Sequence, residues 1–459
     1  MKEKIKEFLR EIGFNPNLAE TKHSKLVDKW LRIFKGKTKE HEFYIYNGLN
    51  RNKQIIKTLG MAYRSCCDLS DFFFNEKMEI TTDSEAFNEE LKDVLEQNKF
   101  LSNANSLFQK VKALGDGAFV AYLDDNVLRI NYLNATNIII LDADNKGVNS
   151  ILFYNEKDDK LIINAHVLKE DGYTIYNREY KKDDKGIYGM NLLEEEVSTI
   201  ETKSFVPKFA MIYGPESNNI ELDSPYHISC YANSYDNLIA IDRAYDSYDN
   251  EVWLGRKRIY VKGGGVQFNT DAKGNVAPVF DSSETMYYQL PGDEKSPLVN
   301  VDDSKLRITE LGDALQAQLN LYTSSVGLGH NYYKFKDGEV YVNTDNVVST
   351  NSDIYRKIRK QENIITECLT SLCYAIADLL NFNGQFKVSV FYDDSVIEDT
   401  EAIRKQALTE YNAGLISKAE YFRQTRKLKD DSAIQLANDM NKEIKAETIT
   451  DGTEFNLGE

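Results

Sequence analysis

The stretch that most constrains this chain runs from Ser224 to Lys262, SPYHISCYANSYDNLIAIDRAYDSYDNEVWLGRKRIYVK. Ser224-Pro225 is a helix-start signal, because Ser can cap and Pro is tolerated in a first turn. No Pro or Gly follows until Gly255. Tyr235, Leu238, Ile241, Tyr245, Tyr248 and Val252 recur at spacings of three or four, the stripe of a helix face. The pattern predicts a helix about 30 residues long, roughly 45 Å at 1.5 Å per residue. On another side Asp242, Asp246 and Asp249 stack at i, i+4, i+7. Such like charges repel by a few tenths of a kcal/mol per pair in an isolated helix. Arg256, Lys257 and Arg258 crowd the end where the helix dipole favours cations. The VKGGGVQF that follows cannot continue a helix.

A rod of this length needs a body to pack against. The chain has 459 residues, enough for two or three domains, and is 42% hydrophobic and 11% aromatic, so an ordered fold is expected. No apolar run approaches the ~18 residues of a membrane span. The opening MKEKIKEFLREIG is amphipathic and lacks the apolar core of a signal peptide. Cys66, Cys67, Cys230, Cys368 and Cys373 are odd in number and lack CxxC spacing, which favours a reducing compartment. The net charge of −17 argues against gripping nucleic acid over the whole surface, but not against a passage through which DNA slides. Residues 1–60 carry +7 and the remainder −24. Either the basic end has its own partner or it is a solvated surface; both readings stay open.

The rest of the chain falls into blocks. Helices are expected over 2–12 and 21–35, then a strand and an Asn47-Gly48 turn. A helix with Ile55, Leu59, Ala62, Cys66, Leu69 and Phe73 on its buried stripe follows, with Cys66 as a core thiol. Two helices fill 85–113. Residues 118–213 read as antiparallel strands broken by Asp, Asn and Gly turns, among them Asp158-Asp159 and Asp183-Asp184. Residues 263–305 suggest a small β insertion, 307–326 a helix, 327–343 a Gly-marked loop with an Asp337-Gly338 turn, and 345–382 a second long helix. A strand at 386–394 and helices parted by Gly414 and a Ser417/Glu420 capping box close the ordered part. The architecture is α+β.

Catalytic signatures are weak. Gly115-Asp116-Gly117 matches neither phosphate-loop pattern and reads as a helix cap and turn. His330 has no nucleophile signature beside it. Asp393-Asp394 on a strand point to opposite faces, so they do not converge on one substrate.

Four ordered stretches resemble the tailed-bacteriophage portal proteins of the branch infecting Gram-positive bacteria. The first is Ser229, Asn233, Leu238, Ile241-Asp242, Tyr245-Asp246-Ser247, Asn250-Glu251, Leu254-Gly255 and Lys257-Arg258-Ile259. The second is the basic, Asn-containing lead-in from Asn50, ending Phe74-Asn75-Glu76-Lys77-Met78-Glu79-Ile80. The third is Thr344, Val348, Ser349, Asn351-Ser352, Tyr355 and Arg356, with Asn346 or Val347 where the family has Glu. The fourth is Phe391-Tyr392-Asp393-Asp394-Ser395-Val396-Ile397, Asp399, Arg404 and Ala413-Gly414-Leu415-Ile416-Ser417-Lys418.

The resemblance implies a portal fold assembled in a ring. Its parts would be an N-terminal region and β-rich wing (1–223), a first stem helix (224–258), a clip (259–305) and a second stem helix (306–326). A tunnel loop (327–344), a long wing helix and strand (345–395) and a helical crown and tail (396–459) would follow. It implies a dodecameric channel at the unique capsid vertex, in the virion and, during assembly, in the bacterial cytoplasm. Double-stranded DNA would pass through it non-specifically. Partners would be the terminase large subunit, the major capsid and scaffold proteins and a head–tail adaptor, with no membrane, cofactor, metal or catalysis. Candidate channel-lining residues are Asp242, Asp246, Asp249, Lys334 and Lys336. Clip residues meeting the terminase are Lys262, Gly263, Gly264 and Gly265, and tunnel-loop hinges are Gly327, Gly329 and Gly338. The acidic row facing solvent, or pairing with a neighbour's Arg, is an equal reading. Two alternatives are another structural head protein (scaffold or minor capsid component) and a nucleic-acid enzyme using scattered carboxylates.

Overall fold

The computed structural model describes residues 1–426 apart from 48–49, 183–185, 187, 192, 256–257, 263–267, 271–273, 275, 279–285, 291–298, 303–304, 331, 337–338, 343–351 and 393–406. The fold is α+β. A helical body of long and short helices carries two antiparallel sheets on one side and a separate β module at the end of a helix pair.

The sheets are built from strands between Asp116 and Tyr213. Tyr188–Asn191, Gly172–Lys182, Lys160–Lys169, Gly147–Lys157 and Ile138–Asp144 lie side by side, with Thr199–Glu201 also on Gly172–Lys182. Phe209–Tyr213, Asp116–Asp124 and Val127–Asn134 form a second, three-stranded sheet. The larger sheet is covered on both faces. Ile139, Leu152, Leu161 and Ile163 meet Ile5, Phe8 and Leu9 of the Lys2–Glu11 helix. Ile138, Ile140, Ile151 and Phe153 meet Ala118, Val120 and Phe209 of the smaller sheet. Burial on both faces explains why NIIIL and SILFY are continuous apolar runs rather than alternating ones. Asp158 and Asp159 both take positive φ, the turn of a two-residue hairpin, as expected. Asp183-Asp184 lies outside the described residues.

The main core joins Lys22–Phe34, Met61–Asp71, Glu85–Gln97 and Phe100–Leu114 to the three long helices, Tyr235–Leu254, Ile308–Val326 and Ser352–Leu379. Ile358, Ile365, Leu369, Leu372 and Ile376 form the buried stripe of the last one, and Leu315, Leu319 and Tyr322 that of the middle one. The close of the second resembling stretch pairs with the start of the fourth. Glu79–Thr82 runs antiparallel to Val388–Phe391, with Ile80 opposite Val390, although about 300 residues separate them. Gly414 stops a helix with φ +71°, and Ser417 Oγ accepts from Glu420 N–H at 3.1 Å, completing the expected cap.

Two helix boundaries differ from the sequence reading. The first long helix begins at Tyr235, not at Ser224-Pro225. Residues 227–231 instead thread the core. His227 N–H donates to Asp116, Cys230 N–H donates to Lys112 O, and Tyr231 is fully buried. The passage is so tight that a Cβ on Gly115 would lie 2.3 Å from His227 O. Tertiary pairing of this backbone outweighs the local start signal. The second difference is at Ile55 and Leu59, which are not on the helix of Cys66. That helix starts at Met61 after Gly60 in the left-handed conformation. Ile55 instead ends a strand of the hairpin Glu42–Asn47 and Asn50–Ile55, and is 65% exposed.

Candidate functional site

The sequence placed its candidates on and around two long helices. Tyr235–Leu254 and Ile308–Val326 pack side by side. Glu251 clamps the start of the second helix, accepting from Arg307 N–H at 3.1 Å and from its guanidinium at 2.8 and 3.2 Å. That cation holds the Glu251 carboxyl below its usual range. Beyond the clamp, Arg258–Lys262 pairs parallel with Met286–Leu290 and antiparallel with Val299–Asp302, with a second pair, Phe268–Thr270 and Val276–Pro278, nearby in sequence. The chain therefore runs helix, β module, helix. Lys262 ends the central strand of the module; Gly263, Gly264 and Gly265 lie outside the described residues.

The acidic row meets donors from the chain's own residues 41–59. Asp242 is buried, accepts from Leu59 N–H at 2.8 Å, and lies 3.0 Å from His41 Nε2. Burial raises its pKa, against the opposing pull of Leu59 N–H and His41. Asp246 accepts from Lys57 N–H at 3.0 Å, and Asp249 pairs with the Lys57 ammonium. The row is a dock for the chain's own residues 41–59. Asp242 is corrected from a channel-wall residue to a buried acceptor. The physical reason is that each carboxylate meets a donor 183 to 192 positions earlier, which i, i+4 spacing cannot reveal.

The expected tunnel loop is also more fixed than its glycines suggest. Gly327 caps the second stem helix at φ +89°, with the Lys357 side chain where a Cβ would go. Gly329 takes φ +80°. Leu328, Tyr332 and Tyr333 are buried. Tyr333 O–H donates to Asp68 at 2.6 Å, and Gln316 brackets the next strand, donating to Tyr333 O at 2.9 Å and accepting from Phe335 N–H at 2.6 Å. Tyr333–Lys336 then pairs with Glu339–Val342. Lys334 is half-buried. Lys336 stands opposite Glu339 in the ladder; Gly338 lies outside the described residues, as do Asp337 and the Asp393-Asp394 pair. Gly327 therefore acts as a helix cap, and Gly329 takes a left-handed φ, in a packed segment.

The phage portal protein, SPP1 Gp6-like family matches residues 27–449. The chain belongs to this family. Among solved structures, the portal chain is similar to one described as the neck of a native GTA particle computed with C12 symmetry. That likeness has 11% identity and a TM-score of 0.41, and covers 80% of this chain and 90% of the other. No curated protein matches the sequence closely. The family match begins after the Lys2–Glu11 helix, which packs on one face of the large sheet.

This portal chain also has two polar knots that the sequence reading missed. Asp116 is fully buried; His227 donates to it from Nδ1 or accepts at 2.8 Å, and its N–H donates at 2.9 Å. His23 lies 3.9 Å from the same carboxylate, stacked on Tyr226, and burial lowers its pKa. The second knot is His41 with Asp242. His23 and His227 are far in sequence from Asp116, and His41 from Asp242, so only the fold makes these pairs. Cys66 is a core thiol, 3.9 Å from the Cys230 sulfur. Among the described residues no group of three His, Cys, Asp or Glu can hold a metal, and no helix is long and apolar enough to cross a membrane.

Proposed function

We propose that this chain is the subunit of a dodecameric ring at the unique vertex of a phage head. Double-stranded DNA enters through its axis during packaging and leaves through it at ejection. Membership of the portal family over residues 27–449 carries the reading. The helix, β module, helix order supports it, because a paired stem with a small module at its tip suits stacking around an axis. The β module, the clip, would meet the terminase large subunit; the wing would face the capsid and scaffold proteins; a head–tail adaptor would bind after packaging. The chain would carry no catalysis of its own. A channel wall of low positive charge lets DNA slide, since binding grows with each phosphate neutralised.

Electron microscopy of the purified full-length protein tests the ring. Closed rings with a central hole are expected. Monomer alone across salt and concentration, also in cells expressing scaffold and capsid proteins, would overturn it. Deletion of residues 263–305 tests the clip: subunits should still fold and packaging should cease, and continued packaging would remove that assignment.

A further inference from the structure

An asparagine followed by glycine is poised to lose its side-chain amide, because the glycine nitrogen, with no Cβ beside it, reaches the asparagine side-chain carbonyl unhindered. Two such pairs occur, Asn47-Gly48 and Asn383-Gly384. Gly48 lies outside the described residues. Asn383-Gly384 forms the tip of a short loop after the Ser352–Leu379 helix, in neither helix nor strand, and Asn383, Gly384 and Gln385 are exposed. Both shoulders of the loop are anchored. Phe382 and Phe386 pack on the fully buried Phe87 ring, with centroids 5.0 and 4.4 Å away. Phe382 N–H donates to Ala377 O at 2.9 Å. Lys387 N–H donates to Asp83 Oδ1 at 2.7 Å, and Asp83 N–H donates to Lys387 O at 3.3 Å. Between the shoulders, neither the Asn383 side chain nor the Gly384 N–H has a hydrogen-bond partner among the described residues. Glycine is there for packing, since a Cβ at 384 would lie 2.5 Å from the Phe382 ring.

Two asparagines followed by serine are held instead. Asn105 lies inside the Phe100–Leu114 helix, and its side chain donates to Asp71 at 2.8 Å and to Phe74 O at 2.9 Å. Asn149 lies in the Gly147–Lys157 strand, and the Ser150 that follows it is buried opposite Asp142 in the ladder. A backbone fixed in a helix or a ladder cannot bring its nitrogen onto the preceding side chain.

We propose that Asn383 is a site of spontaneous covalent modification, deamidating through Gly384, and that the isoaspartate product loosens the loop from Phe87. Hydroxide removes the Gly384 N–H proton, and the nitrogen attacks Asn383 Cγ. A C–N bond forms, the amide nitrogen takes up a proton and leaves as ammonia, and a five-membered succinimide remains. Water opens that ring at either carbonyl, giving aspartate or isoaspartate; nothing is oxidised or reduced. Aspartate keeps the backbone length. Isoaspartate routes the main chain through the side-chain carbon and adds one backbone atom. Only residues 383–385 join the two seated rings, so the extra atom must bulge or unseat one of them. The proposal does not depend on ring assembly.

The test incubates the full-length protein at mildly alkaline and mildly acidic pH, followed by peptide mass spectrometry. The expected result is conversion of Asn383 from amide to acid as two separable products, faster at the alkaline pH, while Asn105 and Asn149 keep their amides. A denatured sample run alongside supplies the rate without the fold. An Asn383 that keeps its amide in the folded chain but loses it in the denatured one overturns the site, because the loop then protects it. Hydrogen exchange of residues 382–387 tests the consequence. Aged protein should exchange faster there than fresh protein and faster than the variant N383D, which has the new charge on an ordinary backbone. Equal exchange in aged protein and N383D would overturn the loosening.

Discussion

The hairpins at 42–55 and 333–342 are both pairs of short antiparallel strands joined across two residues, Asn47 facing Asn50 in one and Lys336 facing Glu339 in the other. Their surroundings differ. The second begins on Tyr333, a fully buried ring with its hydroxyl on Asp68, and Phe335 packs edge-on against Tyr248 of the first stem helix at 5.3 Å. The first hangs from polar contacts at its root and exposes its described side chains. Turn chemistry makes a hairpin; buried side chains decide whether it belongs to the body. One is part of the core and the other is held by polar contacts at its root.

The largest expected effect contrasts the two directly. Tyr333→Ala empties a fully buried aromatic site and should cost about 3–5 kcal/mol of subunit stability. Tyr44→Ala should stay within about 0.5 kcal/mol. Urea denaturation of unassembled subunits measures both. Similar losses would mean that the 42–55 hairpin is packed in the isolated chain, and the comparison would fail.

Removal of the polar brackets comes next. Gln316→Ala strips partners from Tyr333 O and Phe335 N–H, and Asp242→Ala strips them from Leu59 N–H and His41. Each should cost about 1–3 kcal/mol, the penalty for buried polar groups left unpaired. Limited proteolysis separates them: Gln316→Ala should open sites near 333–342, and Asp242→Ala near 42–57. Cleavage at the same place in both variants would show that the hairpins are not independent.

Much of this was legible in sequence where the signal is local. The 3.6-residue stripes of 308–326 and 352–379, the Ser417 cap and the Asp158-Asp159 turn follow from side-chain period and turn chemistry. The acidic row was visible, but not its purpose, because its donors come from 41–59 and nothing in the spacing of Asp242, Asp246 and Asp249 encodes them. The false helix start at Ser224-Pro225 has the same cause. Asp116 and Lys112 claim the backbone of 227–230 through contacts more than 100 residues away in sequence. The glycines of 327–343 suggested backbone freedom by their number, but not that Gly327 would end a helix under Lys357.

A smaller effect is expected at the exposed part of the root of the 42–55 hairpin. Lys57→Met removes the ammonium from Asp249 but keeps the Lys57 N–H on Asp246. The effect should be small, as for an exposed ion pair, and the difference from the unsubstituted chain should shrink as salt is raised. A larger, salt-independent loss would mean that the root is held chiefly by this pair rather than by the buried Asp242.

The smallest effect concerns pH and the Asp68 carboxyl under Tyr333. Burial raises its pKa, more than the Tyr333 hydroxyl and Arg64 lower it. In the unfolded chain it titrates near 3.9. Because the folded value is the higher one, the native state holds its proton more tightly than the unfolded state. This site's contribution to stability is then fully present below pH ~3.9 and is lost as pH rises through the folded value. Other carboxylates titrate in the same range, so the readout is a difference between variants. Asp68→Asn cannot ionise and keeps an acceptor for Tyr333 O–H, and its stability should decline less with rising pH just above 4 than that of the unsubstituted chain. A steeper decline in the variant would mean that Asp68 is stabilised as the anion, with Arg64 outweighing burial. The root of the 333–342 hairpin would then be held by charge, like that of its exposed counterpart.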